Sequence, residues 1–247
     1  MIKNSLEPYE NIVSFNFHLL PENFTFNNYK EMFINHNLLR WLGNSFIVSI
    51  LGVVGSLTID SLAAFALSRL KFFGRDFVFN IILMTLMIPI QVIMVPLYLL
   101  MIKFGWLNTY SGLILPIMAS PFVIFLLRQN FLQIPRELDE ASLVDGANYF
   151  QIYIKIIIPN SWAAIITSLV IKFMWIWGDY LWASLVIKKD LMRTLPVGIA
   201  MLQTPTGTMS WDLLTATAVI AVIPILVMFI YLQKFFVRGL SEGAVKG

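Results

Sequence analysis

The chain has 247 residues, of which 58% are hydrophobic and 13% charged, with a net charge of +3. A soluble domain of this length needs more polar surface than that to cover its core. The basic residues stand at the ends of apolar runs and not on one soluble face, which argues against nucleic-acid binding, and the absence of cysteine excludes disulfides, thiolate metal sites and cysteine nucleophiles.

In chain order, the first forty residues are polar, and His18 and His36 both lie among them as ordinary tail residues, so no metal site is expected. Uncharged runs follow at Trp41–Ile59, Phe77–Ile102, Phe104–Leu127, Ile156–Ile171 and Leu213–Gln233. A helix needs roughly 20 apolar residues to cross a bilayer, and backbone in lipid must satisfy its own hydrogen bonds. The runs therefore predict an all-α polytopic membrane protein with about five crossings, near 42–68, 77–101, 109–128, 160–182 and 212–233. Pro89 and Pro96 are expected to kink the second crossing around Gln91, freeing carbonyls that could line a cavity.

Between the third and fourth crossings lies a polar interruption, Arg128 to Asn160. Pro135 suits the first turn of a short helix, Glu137, Asp139 and Glu140 favour its positive end, and Gly146 can stop it in the left-handed conformation. A second short helix is expected at about Tyr149–Ile157, with Pro159 restarting the chain as the next crossing. Ala141, Ser142 and Ala147 would let another backbone approach. Pattern alone leaves open an amphipathic pair that simply lies on the lipid surface.

Placing this loop in the cytoplasm puts nine basic residues inside and seven outside, with the positive-inside sense. The division is then an extracytoplasmic segment 1–40, a transmembrane domain 41–236 that includes the loop 129–159, and a cytoplasmic tail 237–247. Five crossings send a long polar amino-terminal segment across the membrane with no helix ahead of it, so a further helix before Met1 is expected.

Glu140-Ala141-Ser142, three residues, Gly146, nine residues, Ile156, one residue, Ile158-Pro159 resembles the EAA loop of ABC importer permeases, with Ser142 for alanine and Ile158 for leucine. Other segments fit the carbohydrate-uptake branch. They are Leu62–Phe72 with Gly74-Arg75, Met87–Gln91 with Pro96-Leu97-Tyr98, Phe125–Gln129 and Arg193–Gly198. The end, Arg238–Gly247, is similar to that of the maltose-type subunit. The family usually has six helices.

The resemblance implies a transport subunit without covalent chemistry of its own, in a prokaryotic cytoplasmic (inner) membrane. Its implied partners are two ATPase subunits that hold ATP and magnesium, a second permease and an extracytoplasmic solute-binding protein. The coupling surface would comprise Glu140 as polar anchor, Ala141 and Ser142 as close-contact residues, Asp145, Gly146 as the turn, Ile156 and Pro159. The implied cargo is a sugar or oligosaccharide, with a polyol or glycerol phosphate as the alternative.

Asp60 and Lys172 fall inside crossings, where an ionised group needs a partner or water. Lys172 reads equally as half of a structural pair or as a residue of the solute path. Trp175, Trp177, Asp179 and Tyr180 are further path candidates, because aromatic faces stack on sugar rings; the family pattern W-N-[DE]-[FY] appears here with Gly178 in place of asparagine. An ion-coupled secondary transporter would predict internal repeats, and an intramembrane enzyme would predict clustered His, Asp or Ser. Neither pattern is found.

Overall fold

Residues Leu38 to Arg69 form one unbroken helix of 32 residues (α1), built mostly from small and aliphatic side chains and without proline. The computed structural model describes residues 1–12, 21, 23–202 and 210–244, with side chains to residue 233. His18, the side chains of the carboxy-terminal tail and residues 245–247 lie outside the described residues.

Every regular element among the described residues is helical. After α1 come α2 (Arg75–Thr85), α3 (Ile90–Lys103), a short helix Tyr110–Ile114 with a 3-10 turn, and α4 (Pro121–Gln133). The loop carries α5 (Glu137–Val144) and α6 (Tyr149–Ile152). It is followed by α7 (Trp162–Trp177), α8 (Leu181–Val186) and the long α9 (Trp211–Ala244).

Among the described residues, two helices, Leu38–Arg69 and Trp211–Gln233, are long and apolar enough to cross a membrane unaided, and three bent pairs raise the number to five if each pair is one span. The predicted crossings therefore differ in continuity. The second is α2 and α3, bent by 98° at residues 86–89. Leu86, Met87 and Ile88 each donate to the carbonyl three residues back, tightening the helix end before Pro89, whereas α3 continues through Pro96.

The fourth predicted crossing, 160–182, ends at Trp177 and is bent by 80° from the segment ahead of it. Its restart comes after Ser161, not at Pro159. The second loop helix stops at Ile152 and gives way to a π turn over Tyr153–Ile157. Pro159 supplies no N–H to the Lys155 carbonyl, which disfavours an α-helical turn there. Pro135 lies just before α5 and not in its first turn.

The chain divides into two compact units, residues 1–49, 101–113 and 177–230 in one, and 50–100, 114–176 and 231–247 in the other. In the first, Asn44 accepts the Tyr110 hydroxyl and donates to the Leu191 and Arg193 carbonyls, while Trp182 donates to the Gly112 carbonyl. The second unit has a core of Phe65, Val123, Leu127, Phe131, Ile152 and Ile157, all nearly inaccessible. Here α1 meets its neighbours closely. A Cβ on Gly55 would fall 2.3 Å from the terminal methyl of Met118, so any larger residue there requires the Met118 side chain to move.

Candidate functional site

The residues of the loop 136–152 set its shape. Helix α5 ends at Asp145, and Gly146 adopts φ +83°. The Ala147 N–H then reaches the Ser142 carbonyl at 2.9 Å and the Gly146 N–H reaches the Leu143 carbonyl at 3.1 Å. This pair of bonds is the left-handed glycine stop predicted from the sequence. Asn148 begins α6 with a reciprocal cap: its side chain accepts the Gln151 N–H and the Gln151 side chain accepts the Asn148 N–H. The Ser142 hydroxyl donates to the Leu138 carbonyl at 2.8 Å, within its own helix.

Five of the seven predicted coupling residues, Glu140, Ser142, Asp145, Gly146 and Ile156, line one of two cavities beside this loop. One of about 550 Å³ is lined by Arg69, Lys71, Arg136, Asp139, Glu140, Leu143 and Tyr149. The other, about 310 Å³, is lined by Ser142, Asp145, Gly146, Gln151, Lys155 and Ile156. Glu140 and Ala141 are exposed, as is Pro159 in the short turn Ile158–Asn160. Between the acidic residues stands an apolar patch that the sequence reading did not single out. Val144 is 88% exposed, with Leu143, Tyr149 and Phe150 also open. The signal was available in the Leu143-Val144 pair of an otherwise polar loop.

The loop is tied to the membrane helices by cations. Arg69, the last residue of α1, donates to the Phe131 and Ile134 carbonyls at 2.5 and 2.8 Å and meets Asp139 at 3.2 Å. Arg136 donates to the Ser68 carbonyl and Arg128 to that of Leu67. Burial pushes the Asp139 carboxyl above its ordinary range, against the opposing pull of Arg69 and Arg136.

The membrane candidates are placed individually. Gln91 is exposed near the start of α3. Lys172 is buried on α7 and interacts electrostatically with Asp60. Asp60 itself accepts the Ser56 hydroxyl and the Ser120 N–H. Trp175 is half exposed, its ring 5.4 Å from that of Phe122. In the other unit, Trp177 is buried, lies 4.9 Å from the Phe46 ring and donates to the Ala221 carbonyl. Asp179 accepts the N–H groups of Trp182 and Ala183, capping α8, and Tyr180 is exposed.

The family model for the binding-protein-dependent transport system inner membrane component matches residues 53–242. The arabinooligosaccharides transport system permease protein AraQ of Halalkalibacterium halodurans is 38% identical over 228 residues, which cover 92% of this chain and 81% of that protein. The sn-glycerol-3-phosphate transport system permease protein UgpE of Brucella abortus is 37% identical over 232 residues, 91% of this chain and 82% of that one. Among solved structures, a bacterial ABC transporter involved in the import of the acidic polysaccharide alginate superposes with a TM-score of 0.85 over 95% of this chain and 88% of that chain, at 24% identity, and shares its fold. This chain belongs to the binding-protein-dependent transport system inner membrane components.

Proposed function

We propose that this chain is the permease subunit of an ATP-driven importer for a sugar or oligosaccharide, working with a second permease, two ATPase subunits that hold ATP and magnesium, and an extracytoplasmic binding protein. Membership of a binding-protein-dependent transport family is its frame, and the carbohydrate class is supported by the likeness to AraQ. The observation that carries the coupling role is the loop itself. Both short helices are capped internally, and Glu140, Leu143 and Val144 are left on an accessible surface beside a cavity. A small preformed helix with an acidic residue and an apolar patch fits a groove on a partner protein.

In this reading, Glu140 anchors α5 in the ATPase, Ala141 and Ser142 allow close backbone approach, and Gly146 keeps α5 and α6 at a fixed turn. Asp145, Ile156 and Pro159 line or flank the second face. The loop lies on the cytoplasmic side, with residues 1–40 opposite and the tail 237–247 near the ATPases. Gln91, Lys172, Trp175, Trp177, Asp179 and Tyr180 are proposed for the solute path, although the capping bonds of Asp179 and the Trp177–Ala221 bond equally support structural duties. The likeness to UgpE favours a second cargo, a glycerol phosphate, for which the buried Lys172 supplies a cation.

The test is purification of the tagged native chain from gently solubilised membranes, followed by ATP-driven uptake in vesicles. Recovery with an ATPase, a second permease and a binding protein, and uptake of a labelled oligosaccharide, support the proposal. Recovery of the chain alone across several detergents overturns it.

A further inference from the structure

One guanidinium holds three parts of the second unit together. Arg69 terminates α1, its side chain is 2% exposed, and it binds two carbonyls at the end of α4 and one carboxylate on α5. Helix ends leave carbonyls without intrahelical partners, which is why the last turn of α4 offers acceptors there. The bonding is uneven. Two bonds run to the end of α4 and a single nitrogen–oxygen contact runs to Asp139, while Arg69 Nε and Asp139 Oδ1 are buried without a hydrogen-bond partner.

We infer that Arg69 is a positioning residue that carries displacement of α5 into the membrane helix α1; the inference rests on the proposal that α5 docks against an ATPase. A single ionic contact fixes the separation of two groups and leaves their mutual angle free. Helix α5 can turn about Asp139 as its partner moves, while any push or pull along the contact reaches the guanidinium. The two carbonyl bonds keep that guanidinium seated at the end of α4, so α1 and α4 move with it as one body. Arg128 on α4 and Arg136 just ahead of α5 also bind α1 carbonyls, the first tying α4 to α1 and the second adding to the tie between the loop and α1. Arg69 joins α1, α4 and an acid on α5 through one side chain.

The experiment uses the complete transport complex in vesicles and reads solute carried per ATP hydrolysed. Arg69→Lys keeps the charge and loses the planar fork that spans the two carbonyls and the carboxylate. The expected result is complex recovered in native amount, with solute carried per ATP lowered about tenfold, the scale of an ordinary coupling between sites. Asp139→Asn cuts only the link to α5 and leaves the carbonyl bonds in place. It is expected to lower the same ratio, and it serves as the test if Arg69→Lys does not assemble. A second readout is independent of transport. Because the chain has no cysteine, spin labels at Lys71→Cys and at the exposed Leu138→Cys, beside the Asp139 pivot where turning of α5 changes the distance little, report the separation of α5 from the end of α1. That distance is expected to stay unchanged when ATP is trapped in the native background, and to shift or broaden in the Asp139→Asn background. Native solute-per-ATP ratios in both variants, or a label distance that changes on ATP trapping in the native background, overturn the inference. A native complex that lacks an ATPase or carries no solute overturns the importer proposal instead.

Discussion

The Asp60 carboxylate on α1 accepts the backbone N–H of Ser120 at 2.9 Å, at the break where Pro121 begins α4. An acid from one membrane helix thus caps the start of another, satisfying a donor that the helix cannot satisfy itself. Ser56 donates to the same carboxylate and Lys172 adds an attractive charge. Asp60→Ala should cost about 1–3 kcal/mol for the orphaned N–H, and more for the uncompensated lysine. The double variant Asp60→Ala with Lys172→Met should be less destabilised than the sum of the two single variants, as read from melting of the purified protein.

Gly146 has nothing within 4 Å of where a Cβ would sit, so its requirement is one of backbone conformation alone. Gly146→Ala should destabilise the end of α5 by about 1–2 kcal/mol. Gly146→Asn, which tolerates the left-handed region better, should retain more ATPase association than Gly146→Ala in co-purification from the membrane.

Glu140 and Val144 are exposed on α5. Glu140→Ala and Val144→Asp should leave the melting temperature of the isolated chain unchanged within error, because exposed sites seldom move stability by more than about 0.5 kcal/mol. Both should weaken recovery of the ATPase and lower uptake. Unchanged recovery in both would remove α5 from the coupling surface.

Trp177 and Trp175 make contrasting predictions. Trp177→Phe loses the bond to the Ala221 carbonyl in a buried position and should cost about 1 kcal/mol or more. Trp175 is half exposed, so Trp175→Phe should affect stability little. Trp175→Ala should lower solute affinity if that ring faces the cargo, as measured by the concentration dependence of uptake.

Asp139 makes stability depend on pH. Its carboxyl is raised from the ordinary value of 3.8, chiefly by burial, so the folded chain keeps this proton at pH values where the unfolded chain has lost it. The folded state binds more protons in that window, and stability falls as pH rises from about 3.8 through the raised value. Melting temperatures across this range should show a shallower fall in Asp139→Asn.

The sequence made some of this architecture legible and concealed the rest for physical reasons. The unbroken helices α1 and α9 announce themselves through long uncharged runs, and Gly146 announces its turn because few other residues adopt its conformation. A hydropathy run counts apolar residues and says nothing of direction, so the bends at residues 86–89 and at Ser161 were invisible in it. Pro89 was a visible signal, but Pro96 looked the same and interrupts nothing. The π turn follows from Pro159 acting on a carbonyl four residues earlier, which a helix boundary read from composition misses. Arg69 read as a basic flank of a membrane helix. Besides Asp139, it binds two backbone carbonyls more than sixty positions away, and a carbonyl leaves no mark on a sequence. Asp179 matched a family pattern, and its use in the structure is to cap α8.

The glycine stop of α5 and the reciprocal cap of α6 share a consequence for kinetics. Between Leu143 and Gln151 these bonds close the turn from both sides before any partner arrives. Docking of this loop on an ATPase, as proposed, would therefore demand no disorder-to-order transition and surrender little conformational entropy. In the proposed docking, a preorganised element of this kind would engage and disengage with every transport cycle without refolding.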